Sequence, residues 1–119
     1  MPSRFTVVVP AHDEERTIVR LLDGLRPPPG READMAVIVV CNACRDATAA
    51  RARAAMPQAR VLERDQPGKA GAINTGLAMA PWFPVMIVDA DVRVDFAALD
   101  AVADQLNDGE TALAAPRLA

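Results

Sequence analysis

Short apolar runs alternate with stretches of helical periodicity along the chain, and that alternation leaves few folds open. Phe5 to Val9 is a largely β-branched run closed by Pro10, which suits a buried strand. Ile18, Leu21, Leu22 and Leu25 then recur on one helical face. Asp13, Glu14 and Glu15 precede them, where a helix dipole favours acids. Met35 to Val40 reads as a second strand. Asp46 is placed to N-cap an Ala/Arg-rich helix that runs to Met56, before Pro57. Arg60 to Glu63 makes a short strand. Ala70, Ile73 and Leu77 mark a third helix, stopped by Pro81. Val85 to Val88 is a strand ending at Asp89. Phe96, Leu99, Val102, Ala103 and Leu106 mark a fourth helix, closed by Asn107-Asp108-Gly109, and Thr111 to Ala115 reads as a final edge strand. The order βαβαβαβαβ predicts an α/β fold, with a Rossmann-like, mostly parallel sheet flanked by helices on both faces.

The 119 residues fit one domain, residues 1–119. With three Phe, one Trp and no Tyr, the core must be aliphatic. A net charge of −3 and the absence of basic runs exclude a nucleic-acid partner. Residues 70–88 carry no charge, but Gly71, Asn74, Thr75, Gly76, Pro81 and Pro84 break the stretch into a helix and a strand. No transmembrane segment is therefore expected. The N-terminal apolar run meets His12-Asp13-Glu14-Glu15-Arg16 without a small-residue cleavage site, so a cytoplasmic location is expected. Cys41 and Cys44 are spaced C-x-x-C. They are too few for a four-ligand zinc site, and read either as two reduced cysteines or as a redox pair.

Parallel sheets bind ligands at the carboxyl ends of their strands. Four polar clusters fall there: residues 10–14, 41–46, 65–69 and 89–91. Asp89 and Asp91 form a D-x-D pair. Two carboxylates at that spacing can hold a hard divalent ion on a diphosphate, or can equally cap a turn and face solvent. Lys69 is the only lysine. At a helix N-terminus it opposes the dipole, so a phosphate would account for it as well as an exposed turn would. The flanking residues match neither a P-loop nor a G-x-G-x-x-G fingerprint. Asp46 is explained by capping alone, whereas Asn42 offers both donors and acceptors to a nucleobase edge. His12 and Glu14 leave the first strand, and His12 has no evident catalytic partner.

Together these segments resemble family-2 glycosyltransferases of the GT-A fold. The matching pieces are VVVPAHDEERTI at 7–18, VVCNACRDAT at 39–48, GKAGAINTGL at 68–77 and VDADV at 88–92, in the family's order. The resemblance implies a glycosyltransferase donor domain that binds a nucleoside diphosphate sugar. It implies nucleotide contacts from Pro10, Ala11, Glu14, Asn42, Asp46, Gly68, Lys69 and Asp89, with Asn74 on the helix behind that loop. Asp91 would hold Mn2+ or Mg2+ on the diphosphate. Members usually run well beyond this length, into a half that carries the acceptor pocket and the general base. The chain is therefore expected to stop before that half, with no catalytic residue assignable. A nucleotide-binding module that acts only with a partner chain or a missing segment is the alternative. A phospho-receiver domain fits the length, but not the position of the aspartate pair or the lysine. An edge and apolar surface left uncovered predict a homodimer or a complementing chain.

Overall fold

The computed structural model describes residues 4–107, so the expected strand over Thr111 to Ala115 and the turn at Asp108-Gly109 lie outside the described residues. The elements are β1 (Phe5–Ala11), α1 (Ile18–Gly24), a 3-10 turn (Glu32–Asp34), β2 (Met35–Asn42), α2 (Thr48–Ala55), β3 (Arg60–Arg64), α3 (Lys69–Met79), β4 (Val85–Ile87) and α4 (Phe96–Asn107). The strands form one four-stranded parallel sheet in the order β3-β2-β1-β4. The chain starts in the middle, builds outward to β3, and crosses back to β4 through α3. The reversal opens a crevice between the carboxyl ends of β1 and β4, where an open α/β sheet binds its ligands.

Both central strands are buried on both faces, as their near-continuous apolar runs require. Odd-numbered residues of β1 and β2 pack with α1, α2 and α4 around Phe5, Leu21, Leu22 and Leu99. The opposite face holds a smaller cluster, Ile38, Val40 and Ala72, joined by Leu62 and Met79. Among the described helices, only α3 contributes to it.

β1 continues through Pro10 to Ala11, two residues past the expected end. A proline inside a central strand removes a ladder hydrogen bond. Here the cost is avoided by parity. The amide of Thr6 donates to the Pro84 carbonyl and the Val8 carbonyl accepts from Val88, so even-numbered residues of β1 point toward β4. β4 pairs only with residues 6–8 of β1, and Pro10 therefore lies beyond its partner strand.

The third helix turns a different face inward from the one expected. Ala72 and Gly76 are buried, whereas Leu77 is 39% exposed and Ala70 faces solvent. Closeness decides this. A Cβ at Gly76 would collide with the Val8 side chain, so α3 presses its backbone onto the sheet through small residues. Apolar periodicity weighs side-chain size and misses an interface built on its absence. In α1, helical bonding begins at Ile18, and the three acids sit in the preceding turn, outside the first helical turn.

Candidate functional site

Two loops at the carboxyl end of the sheet are fastened together before any ligand arrives. Asp13 and Ala43 both have left-handed backbones, φ 50° and 51°, sparsely populated for non-glycine residues. These turns aim the loop after β1 and the loop after β2 at each other. Asp13 Oδ1 accepts from the Arg45 amide at 2.8 Å, Glu15 Oε2 from the Ala47 amide at 3.1 Å and Asp46 Oδ2 from the Glu15 amide at 3.3 Å. The Glu14 amide donates to the Thr48 hydroxyl at 2.8 Å, and that hydroxyl donates to Asp46 Oδ1 in a short bond. Burial opposes ionisation of Asp46, but hydrogen bonds from the Thr48 hydroxyl and amide and the Glu15 amide outweigh it and lower its pKa.

Asp46 therefore holds the Thr48 amide from just before α2, and its oxygens are engaged in the clamp. It does not line the crevice. Asp13, Cys44 and Asp46 do bring ligand atoms within 4.8 Å of one another, but these atoms already bond to the two loops.

Beside the clamp lies a pocket of about 430 Å³, lined by Pro10, Ala11, His12, Glu14, Asn42, Pro67, Gly68, Lys69, Asp89, Ala90 and Asp91. Every nucleotide or metal residue expected from the sequence lines it except Asp46. Asn74 is exposed on α3 and does not line the pocket. His12, Pro67 and Ala90 are additions that the flanking motif residues foreshadowed.

Each wall has a local cause. Gly68, at φ 121°, turns the chain so that α3 begins at Lys69, a conformation that favours glycine. Lys69 Nζ reaches Asp89 Oδ1 at 2.5 Å, with both side chains about half exposed. The pair spans from the first turn of α3 to the end of β4, and accounts in part for a lysine at a helix N-terminus. Asp91 is exposed, and its carboxylate accepts no hydrogen bond among the described residues. His12 Nδ1 lies 2.7 Å from the Asn42 main-chain oxygen, and its ring stands at the mouth with Nε2 3.6 Å from Asp13.

Asn42 is 5% exposed, and its Oδ1 accepts from Arg64 Nη1 at 3.4 Å. Its amide nitrogen is left as the donor available to the pocket. Arg64 was not singled out by the sequence. The expected strand stopped at Glu63, one residue short, and the pairing of Arg64 with Asn42 exists only once β3 lies beside β2. Thr48, two residues after Asp46, was missed in the same way.

The lining of this crevice combines groups able to hold an anion with oxygen donors able to hold a hard cation. A lysine, a helix N-terminus and two carboxylates face one space.

The family described as glycosyl transferase family 2 matches residues 6–119. No curated protein matches the chain in sequence. Among solved structures, M. tuberculosis glucosyl-3-phosphoglycerate synthase is 30% identical with a TM-score of 0.75, the match covering 91% of this chain and 42% of that one. A Pyrobaculum calidifontis mannosyltransferase, PcManGT, in complex with GDP-Man and Mn2+, is 29% identical with a TM-score of 0.75, covering 89% of this chain and 34% of that one. TarS of S. aureus in complex with UDP shares the fold at 23% identity and a TM-score of 0.72, covering 88% of this chain and 32% of that one. The chain thus spans 32 to 42% of the length of these three.

Proposed function

The chain belongs to glycosyl transferase family 2, and we propose from that premise that its strand-end pocket binds a nucleoside diphosphate sugar for transfer to an acceptor. The observation that carries this reading is the convergence of Lys69, Asp89 and Asp91 on one crevice with Asn42. Asn42 and Glu14 would take the base and ribose side, with Pro10 and Ala11 as the floor. Gly68 and Lys69 would take the diphosphate. The exposed, unbonded carboxylate of Asp91 fits a hard divalent ion. That ion, Mn2+ or Mg2+, would neutralise charge on the leaving diphosphate. Two of the similar structures contain Mn2+ with a sugar nucleotide, GDP-Man in one and UDP-Glc in the other.

Asp46 enters this reading as the residue that holds the pocket's two loops together. The free thiols of Cys41 and Cys44 suit a reducing, cytoplasmic setting, and no described helix is long and apolar enough to cross a membrane.

One observation supports a narrower second reading. Asp95 accepts the Ala98 amide, Asp100 pairs with Arg31, and Asp104 also has a partner. These carboxylates are engaged, which favours a base supplied from outside residues 4–107. Residues 4–107 would then bind donor, and sugar transfer would need a base from elsewhere, in a further segment or a partner chain. β4 is one of the two outer strands of the described sheet, with Ile87 42% and Phe83 74% exposed nearby, so self-association along this side belongs to the same reading.

Titration with UDP and GDP, with and without Mn2+, tests the donor site. Metal-dependent binding of either nucleotide is expected. Absence of binding under both conditions would overturn the reading. Release of free sugar or transfer to added acceptors by this chain alone would exclude the narrower version. A monodisperse monomer by light scattering at high concentration would remove self-association.

A further inference from the structure

The C-x-x-C pair takes no part in the pocket, yet it stands directly behind it. Cys41 is buried in the larger core near the end of β2, and Cys44 is half-buried past the left-handed turn at Ala43. Cys41 belongs to the larger core cluster and Cys44 packs against that cluster. Cys44 Sγ donates to the Ala11 carbonyl at 3.5 Å and accepts from the Asp13 amide at 3.4 Å. The Cys44 thiol therefore ties the loop after β2 to Ala11, which lines the pocket. Both cysteines also line a second recess of about 240 Å³, together with Arg45, Arg64, Glu63 and Asp65. It gives a small reagent a route to the sulfurs that avoids the nucleotide pocket.

We propose that Cys41 and Cys44 are a reversible dithiol–disulfide pair, oxidised by a low-molecular-weight disulfide, whose oxidation loosens the tie between Cys44 and the loop after β1 at Ala11 and Asp13. The Cys44 thiolate attacks one sulfur of the small disulfide. That S–S bond breaks, one small thiolate leaves, and a mixed disulfide stands on Cys44. Cys41 then gives up its proton and attacks the Cys44 sulfur, expelling the second small thiolate. Two protein thiols lose two electrons, one small disulfide becomes two thiols, and the two cysteine protons pass to the leaving groups.

The order follows from surroundings. Burial, then the charge and hydrogen bond of Cys44, push the Cys41 thiol up to about 12, so the more exposed Cys44 attacks first. In the mixed disulfide Cys44 carries no charge, which eases ionisation of Cys41 for the second step. The disulfide has no S–H, so the bond to the Ala11 carbonyl is lost and the hold on the Asp13 amide weakens.

The test treats the reduced chain with glutathione disulfide, followed by alkylation and mass spectrometry. The native chain is expected to lose two hydrogens and to resist alkylation at both cysteines, and reductant should reverse this. Cys41→Ala should instead accumulate the stable mixed disulfide on Cys44. A native chain that stays fully alkylatable, or stops at the mixed disulfide, overturns the pair. Amide exchange at Asp13 reads the latch without any ligand. Exchange several-fold faster, up to about tenfold, in the oxidised chain is expected, since the sulfur becomes a poorer and displaced acceptor, and an unchanged rate overturns the coupling. A several-fold weaker UDP affinity after oxidation is also expected, and that arm alone rests on the proposed function. If the reduced chain binds no UDP either, the donor-site reading fails while the disulfide and exchange results still decide the redox pair.

Discussion

Two sets of acids meet at the carboxyl end of this sheet, and they are used in opposite ways. Asp13, Glu15 and Asp46 spend their oxygens on the backbone amides of Arg45, Ala47, Glu15 and Thr48. Asp89 and Asp91, just past β4, leave theirs half exposed and exposed respectively, with Lys69 as the one side-chain partner of Asp89 among the described residues. A carboxylate bonded to backbone amides holds its loop in place. A carboxylate left in solvent at a crevice contributes little to the fold and remains available to a ligand. The first set is scaffold and the second is site, although the sequence presents both simply as aspartates after strands.

The largest stability effect should come from breaking the clamp. Asp46→Ala leaves the Thr48 and Glu15 amides without their acceptor and should cost about 2 kcal/mol, read as a lower denaturant midpoint with an unchanged slope. The pH dependence sharpens the point. Because the folded pKa of Asp46 is depressed, its contribution is present above the ordinary carboxylate range and is lost as pH falls through that lowered value. The acid limb of a stability profile should therefore be flatter in Asp46→Asn than in the native chain. Thr48→Val removes the bridging hydroxyl and should cost about 1 kcal/mol, with the midpoint again as the readout. At the small end lies Lys69→Met. Its ion pair is exposed, so the midpoint should move within measurement scatter, while affinity for UDP should fall about tenfold, the loss of one charge-assisted phosphate contact. If Lys69→Met destabilised the fold as much as Asp46→Ala, the division between scaffold and site would fail.

Much of this was legible in advance because it rests on local order. The alternation of β-branched runs and helical periodicity placed strands at Phe5 to Val9 and Met35 to Val40, each two residues short of the observed end, and the helix that begins at Phe96, and strand-end logic placed Asn42, Lys69, Asp89 and Asp91 around one crevice. What escaped depends on contacts between distant segments. The Asp46 carboxylate was read as a cap and as a nucleotide ligand, because nothing local announces that Glu15 is its partner. Arg64 became visible only when β3 lay beside Asn42. The buried side of α3 was misread because Gly76 packs by lacking a side chain, a signal that hydrophobic periodicity counts as nothing. Long-range polar pairing and close backbone approach are tertiary facts, and a linear pattern carries them weakly.

The most direct test of the division is calorimetric titration of Asp91→Ala with UDP and GDP in the presence of Mn2+, beside its unfolding curve. The account predicts a native unfolding midpoint together with loss of the metal-dependent part of binding. Native-like metal-dependent affinity in Asp91→Ala, or a midpoint that falls as far as in Asp46→Ala, would contradict it.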